Sequence, residues 1–286
     1  MKKAIFLVGI LTLIFAVNSY AQLNLPRESQ RTEVVQTVGD TRVALIYNRP
    51  NTKSRLIWGA LVPYGEVWRT GANENTTFEV SNDVKINGQT LPAGKYGLHT
   101  IPNKNEWTII FNKVNNEWGS FKYEEKQDQL RVKVKPLTGE FQETMSLGLE
   151  NVAATTADVV MRWENLRVPF TIDVGDVNSR VLGTIRQQMS TLKPDDFRTP
   201  IDAANYIYSQ NMTANYNEAI SWLDTSLKNK ETANALGLKA NLLAETGKKA
   251  EAITNAERAI KVAKAANPKA NTDALEKRLA EWRSEQ

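Results

Sequence analysis

Few side chains in this sequence could do acid–base or nucleophilic chemistry. His99 is the single histidine and there is no cysteine. A two-histidine zinc motif, a thiolate metal site and a cysteine nucleophile are therefore excluded, and no Gly-x-Ser-x-Gly turn is present to raise a serine nucleophile. What remains for catalysis is a carboxylate pair, which glycosidases use without metal or histidine. Glu66 lies in an aromatic loop, and Glu124, Glu125 and Asp128 cluster after Tyr123. An acidic run of this kind is more often a solvated surface. His99 sits in Tyr96-Gly97-Leu98-His99-Thr100. A hydrogen-bonded structural histidine fits that place, and a histidine facing a pocket would report pH.

Binding chemistry is better supplied. Residues 58–77, WGALVPYGEVWRTGANENTT, gather aromatic and planar polar groups around Pro63, Gly65 and Gly71. The stretch is too irregular for a helix and too interrupted for one strand, so it reads as a shaped loop. Trp58, Tyr64, Trp68, Trp107 and Trp118 offer flat apolar faces, with Arg69 and Asn73 close in sequence to two of them. Such platforms can hold a glycan or a peptide. In the alternative reading the tryptophans fill a core, Arg69 ties down loop carbonyls, and Gly71 and Asn73 take backbone conformations with positive φ.

The elements that must position these groups change character once along the chain. From Thr32 to about Val174 the pattern has the period of strands, as in residues 42–47, 76–80, 95–101, 107–111, 130–134 and 157–163. Asn87-Gly88 between two short apolar runs marks a tight hairpin, and Pro92-Ala93-Gly94 turns the chain again. Short strands without intervening helices predict an antiparallel β-sandwich or jelly roll. Helical spacing follows: residues 178–192 form a connector helix, and Thr199-Pro200-Ile201-Asp202 starts the next. Tyr216-Asn217-Glu218-Ala219-Ile220 and Lys249-Ala250-Glu251-Ala252-Ile253 echo each other 33 residues apart, close to the tetratricopeptide period of about 34. A short tetratricopeptide-like array closed by a helix over residues 271–282 fits this echo, and so does an unrelated stack of helical hairpins. Arrays of this kind present a concave surface to a protein partner; one of about two units could equally brace the β-domain. The fold class is thus α+β, a β-sandwich domain followed by an α-helical domain.

The first residues read as a secretory leader. Two lysines precede an apolar stretch of fourteen residues, shorter than the roughly 20 that span a bilayer, and small residues at Ser19 and Ala21 predict cleavage after Ala21. The organisation expected is 1–21 leader, 22–175 β-sandwich, 176–198 connector and 199–286 helical repeat-like domain. Without a cysteine there is no lipid attachment point, so the expected location is the periplasm or beyond, with no later span of the membrane. Removing Lys2 and Lys3 takes the net charge from +4 to +2, and from Asp195 onward 13 basic residues balance 13 acidic ones. No clustered basic face with interleaved aromatics points to nucleic acid, and no residue set calls for a cofactor or metal.

LVPYGEVWRTGAN at residues 61–73, Tyr47-Asn48-Arg49-Pro50, LPAGKYGLHTIP at residues 91–102 and the run 107–112 resemble a secreted bacterial domain family of unknown function, common in Bacteroidetes. Some of its members carry a comparable helical tail, and the resemblance extends over nearly the whole mature chain. It implies an exported β-domain and assigns no catalytic residues. Arg49, Tyr64, Trp68, Arg69, Gly71, Asn73 and Asn112 match the family's pattern, while the phenylalanine frequent near Ile57 and Trp58 is absent. The candidate binding set is therefore Arg49, Tyr64, Trp68, Arg69, Asn73, His99 and Asn112. The expected function is a non-enzymatic module that binds a glycan or peptide through the β-domain and a protein through the helical tail. The alternatives are a carboxylate-dependent glycan hydrolase and a purely structural or assembly protein.

Overall fold

A computed structural model of the protein describes residues 25–285; the leader predicted over residues 1–21 lies outside them. Ten strands come first: β1 (Gln30–Val38), β2 (Thr41–Arg49), β3 (Thr76–Val80), β4 (Val84–Ile86), β5 (Gln89–Leu91), β6 (Gly94–Ile101), β7 (Trp107–Asn112), β8 (Asp128–Val134), β9 (Leu137–Glu150) and β10 (Thr156–Asp173). They pair into a six-stranded sheet, β1-β2-β3-β6-β7-β8, and a four-stranded sheet, β5-β4-β10-β9. Alternation fixes which face is buried. On the first sheet Val43, Leu45, Phe78, Leu98, Ile109 and Phe111 are at most 2% exposed. The Phe78 ring lies 5.1 Å from Phe111 on β7 and 6.1 Å from Phe170 on β10, so side chains of both sheets meet in one core.

The tight turn at Asn87-Gly88 is present, with φ of 46° and 83° as a two-residue hairpin requires. The strand expected over residues 157–163 is instead part of an 18-residue strand, β10, paired from Asp158 to Arg167 with the 14-residue β9. Its period is broken by irregularities between Arg162 and Leu166, with Glu164 at a φ of 53°. A bulge of this kind shifts the inward set by one residue and hides the strand from a period-two reading.

Six helices follow: α1 (Val177–Ser190), α2 (Arg198–Ser209), α3 (Tyr216–Asn229), α4 (Ala233–Glu245), α5 (Lys249–Ala266) and α6 (Asp273–Ser284). The start of α2 is set by Asp196, whose carboxylate accepts the N–H groups of Arg198 and Thr199 at 2.9 and 3.0 Å. Asp196, rather than the Thr199 expected from the sequence, therefore supplies the cap, an acidic acceptor being the stronger one. Pro200 still falls in the first turn, where its missing N–H costs nothing. Between α4 and α5, Gly247 takes a φ of 80°. Ala240, Ala252, Ala256 and Ala259 are at most 1% exposed, letting the helices of this hairpin approach closely. Leu223, Leu242 and Leu243 belong to the core of the helical part.

The chain forms two compact units. One holds the segments Arg42–Glu150 and Asp158–Ile172 with the N-terminal part up to Gln36. The other holds Thr37–Thr41, Asn151–Ala157 and Asp173–Gln286. No described helix is long and apolar enough to cross a membrane.

Candidate functional site

The outward face of the six-stranded sheet carries the polar residues that alternate with the core: Asn48 on β2, Thr77 on β3, Lys95 and His99 on β6, Asn112 on β7 and Arg131 on β8. In register, Ile46 faces Thr77, Thr77 faces Gly97, and His99 faces Ile110, which faces Arg131. Residues 113–127, the long connection from β7 to β8, fold back over part of this face. They are held by N–H donation from Lys113 to Gln127 O, from Gly119 to Asn73 O and from Asn75 to Glu117 O. Gly97 permits the closest approach, since a Cβ there would stand 2.4 Å from Val114 O and 2.7 Å from Asn75 Nδ2.

His99 lies under this cover, fully buried. Its Nδ1 is 3.0 Å from Ser120 Oγ, and its Nε2 has no partner among the described residues. Burial pulls its pKa down to about 4 against the opposing pull of the Asp128 charge, so the ring is neutral at neutral pH. A Ser–His contact invites comparison with nucleophilic catalysis, which needs a third group to orient the imidazole. Asp128 is committed elsewhere. Its Oδ1 accepts from Asn112 Nδ2 at 2.7 Å, and its Oδ2 accepts from Tyr123 Oη and Arg131 Nε at 2.6 Å each. Burial, and then the bond to Asp128, push the Tyr123 hydroxyl up to about 12. This network closes on itself and fastens residues 113–127 to β7 and β8.

The organising loop divides its residues between the interior and the surface. The Trp58 ring meets Trp107 at 5.0 Å, Trp163 at 5.7 Å and Trp68 at 6.0 Å, all edge-on, while Trp68 stacks on Trp163 at 5.9 Å. Trp68 is fixed by two backbone bonds with Thr100, at 2.8 and 2.9 Å, and by Nε1 donation to Gly71 O at 3.1 Å. Gly71 sits at a φ of 152°, where a Cβ would press on Asn48 O. Trp58 Nε1, Trp107 Nε1 and Arg69 Nε have no acceptor among the described residues. Arg69 is half-buried, and burial lowers its pKa; its Nε ties down no loop carbonyl.

The remaining predicted residues scatter. Arg49 Nε donates to Met145 O at 2.8 Å. Asn73 has a φ of 57° and donates from Nδ2 to Ser29 O at 3.1 Å. Asn112 spends its amide on Glu124 O, Asp128 and the Val114 N–H. Tyr64 is exposed and lines a shallow depression with Asn103, Lys104, Asn105 and Glu106. Glu66 follows Gly65, whose N–H bonds Pro102 O just past one end of β6, whereas Asp128 pairs with Asn112 and Asn112 with Gly97 near its other end. Five residues of strand separate these anchor points, about 16 Å.

The open part of the same sheet face is a groove of about 660 Å³. Its floor is Ile46, Asn48, Thr77 and Lys95, from strands interior to the sheet; Gln30 and Arg31 stand on one side, and Asn115 and Asn116 on the other. The organising loop reaches it through Glu74 and Asn75. Arg27 donates from one nitrogen to both Glu74 oxygens at 2.6 and 2.8 Å, and Asn48 Nδ2 donates to Glu74 at 3.2 Å. The Arg27 bond is the main reason that Glu74 has a lowered pKa. Trp118, 56% exposed, lies beside Glu74 through a backbone bridge, and the Arg27 guanidinium stands 5.5 Å over its ring. Of these residues sequence reasoning singled out only Trp118 as a binding group, although Glu74, Asn75 and Thr77 lie in the stretch 58–77 to which it pointed. The signal that was available is the alternation along β6, which places Lys95 on the same face as His99.

A family model described as a protein of unknown function, DUF2911, matches residues 29–172. That stretch is the β-rich part of the chain, and α1 to α6 lie beyond it. No curated protein matches the chain.

Proposed function

We propose that this chain, which belongs to the DUF2911 family of proteins of unknown function, is an exported protein of the bacterial envelope that binds a saccharide without converting it. The observation that carries the reading is the make-up of the groove. The carboxamides of Gln30, Asn48, Asn75, Asn115 and Asn116 line it, those of Asn48, Asn75 and Asn115 held by donation to Glu74, Thr76 O and Lys95 O, and a half-exposed tryptophan bridged to Glu74 stands beside it. Planar amides donate to and accept from sugar hydroxyls, and an indole face packs against the apolar face of a pyranose ring. A peptide is less well served. It would gain most from adding a strand to a free edge; β2, β3 and β6 beneath the groove are paired on both sides, and only β1 along one side of it is a sheet edge. The exported location rests on the amino-terminal pattern, and a protein-binding role for the helical unit rests on its repeat-like spacing.

The test is calorimetric titration of the mature protein with a panel of oligosaccharides, repeated with Trp118→Ala. The side chain is exposed, so the variant should melt within about 0.5 kcal/mol of the parent in stability. Loss of the stacking face should weaken binding by about tenfold, or roughly 1.4 kcal/mol. A panel in which no saccharide binds would overturn the reading.

A further inference from the structure

Building on that reading, we infer that the saccharide is acidic, with anionic substituents spaced along the chain to meet Arg31 on β1 and Lys95 on β6, which stand three strand spacings apart. The groove holds three cations and one carboxylate among its lining residues. Arg27 is neutralised by Glu74. Neither Arg31 nor Lys95 has an ion pair among the described residues. Glu79, opposite Lys95 in the β3–β6 register, is 3.5 Å from Arg42 instead and does not line the groove.

Lys95 stands on the floor and Arg31 on the side, with the amides around them. Covering this groove with a neutral sugar would take two cations out of water with no counter-charge, which opposes binding. An anionic group supplies that charge, and Arg31 offers a fork that can meet a carboxylate or sulfate through two parallel hydrogen bonds. The amides of Gln30 and Asn116 are left for the hydroxyl groups of the same or neighbouring sugar units. The charge balance thus chooses between sugars that the amides and the indole alone would accept alike.

The experiment compares three probes on the mature protein by calorimetry: a uronic-acid oligosaccharide of about five units, its carboxyl-reduced neutral counterpart, and a sulfated neutral counterpart. The expected result is at least about tenfold tighter binding of one or both acidic probes. Arg31→Gln and Lys95→Gln should each weaken the acidic probes by about tenfold and should tighten the neutral probe, whose binding no longer buries that cation, so that the preference for acid narrows. Melting curves on the same variants show whether the fold is intact, and both side chains stand at the surface of an already formed sheet. Preference for the carboxylate or the sulfate probe tells which acid is read. Equal binding of neutral and acidic probes overturns this inference and leaves the saccharide reading standing. Binding of an oligoglutamate peptide as tight as that of the acidic sugars overturns both, because charge alone would then suffice.

Discussion

Protonation of His99 should make the β-rich unit lose stability over a pH range in which its carboxylates are still quiet. The ring is fully buried and its folded pKa is about 4, against an ordinary value of 6.5. Since the folded value is the lower one, the unfolded chain binds the proton first as pH falls. Stability is therefore complete above about 6.5 and declines until about pH 4. Each pKa unit is worth about 1.36 kcal/mol, so the loss is about 2 kcal/mol by pH 5 and about 3 kcal/mol at the end. Carboxylates with lowered folded values, such as Glu74 and Glu150, contribute their own loss only near and below their ordinary value of 4.5. The interval from pH 6.5 to 5 thus isolates the histidine. Urea unfolding followed by tryptophan fluorescence in a Trp222→Phe, Trp282→Phe background reports this unit, because the other five tryptophans all lie in it. The parent should lose about 2 kcal/mol between pH 7 and 5, and His99→Gln, which cannot charge, should lose almost none. A parent that is flat over this range, or a variant that falls as steeply, would refute the account of a neutral histidine sealed beneath residues 113–127.

Two further outcomes follow from packing. Gly97→Ala places a methyl 2.4 Å from Val114 O, and overpacking of this kind should cost about 1–3 kcal/mol, with faster hydrogen exchange in residues 113–127 as the local sign. Leu243→Ala removes a side chain 1% exposed in the helical core and should cost about 2–5 kcal/mol, read by circular dichroism during thermal unfolding.

The sequence carried the architecture because period and turn chemistry are local. Asn87-Gly88 could be read from two residues, and the small positions of α4 and α5 from their spacing. β9 and β10 were harder. Their bulges displace the alternation, and β9 gains its place from long-range pairing that no local window contains. The candidate site was legible only in part. Trp68, Arg69, Gly71 and Asn73 stand out by type, yet their packing is decided by what closes over them: Trp68 faces Trp163, ninety-five positions away in sequence. Lys95, Arg31, Asn48 and Asn115 look like ordinary surface residues one by one. They form a groove only because β2, β3 and β6 are neighbours in a sheet whose order departs from chain order.

The measurement that tests the central claim most directly is the map of backbone amide shifts in the mature protein as a bound saccharide is titrated in. The account predicts that the largest changes fall on Asn48, Asn75, Thr77, Lys95, Asn115 and Trp118, with the amides around Tyr64 and Asn103 unmoved. Shifts centred on that second depression or on the helices, with the groove silent, would contradict it.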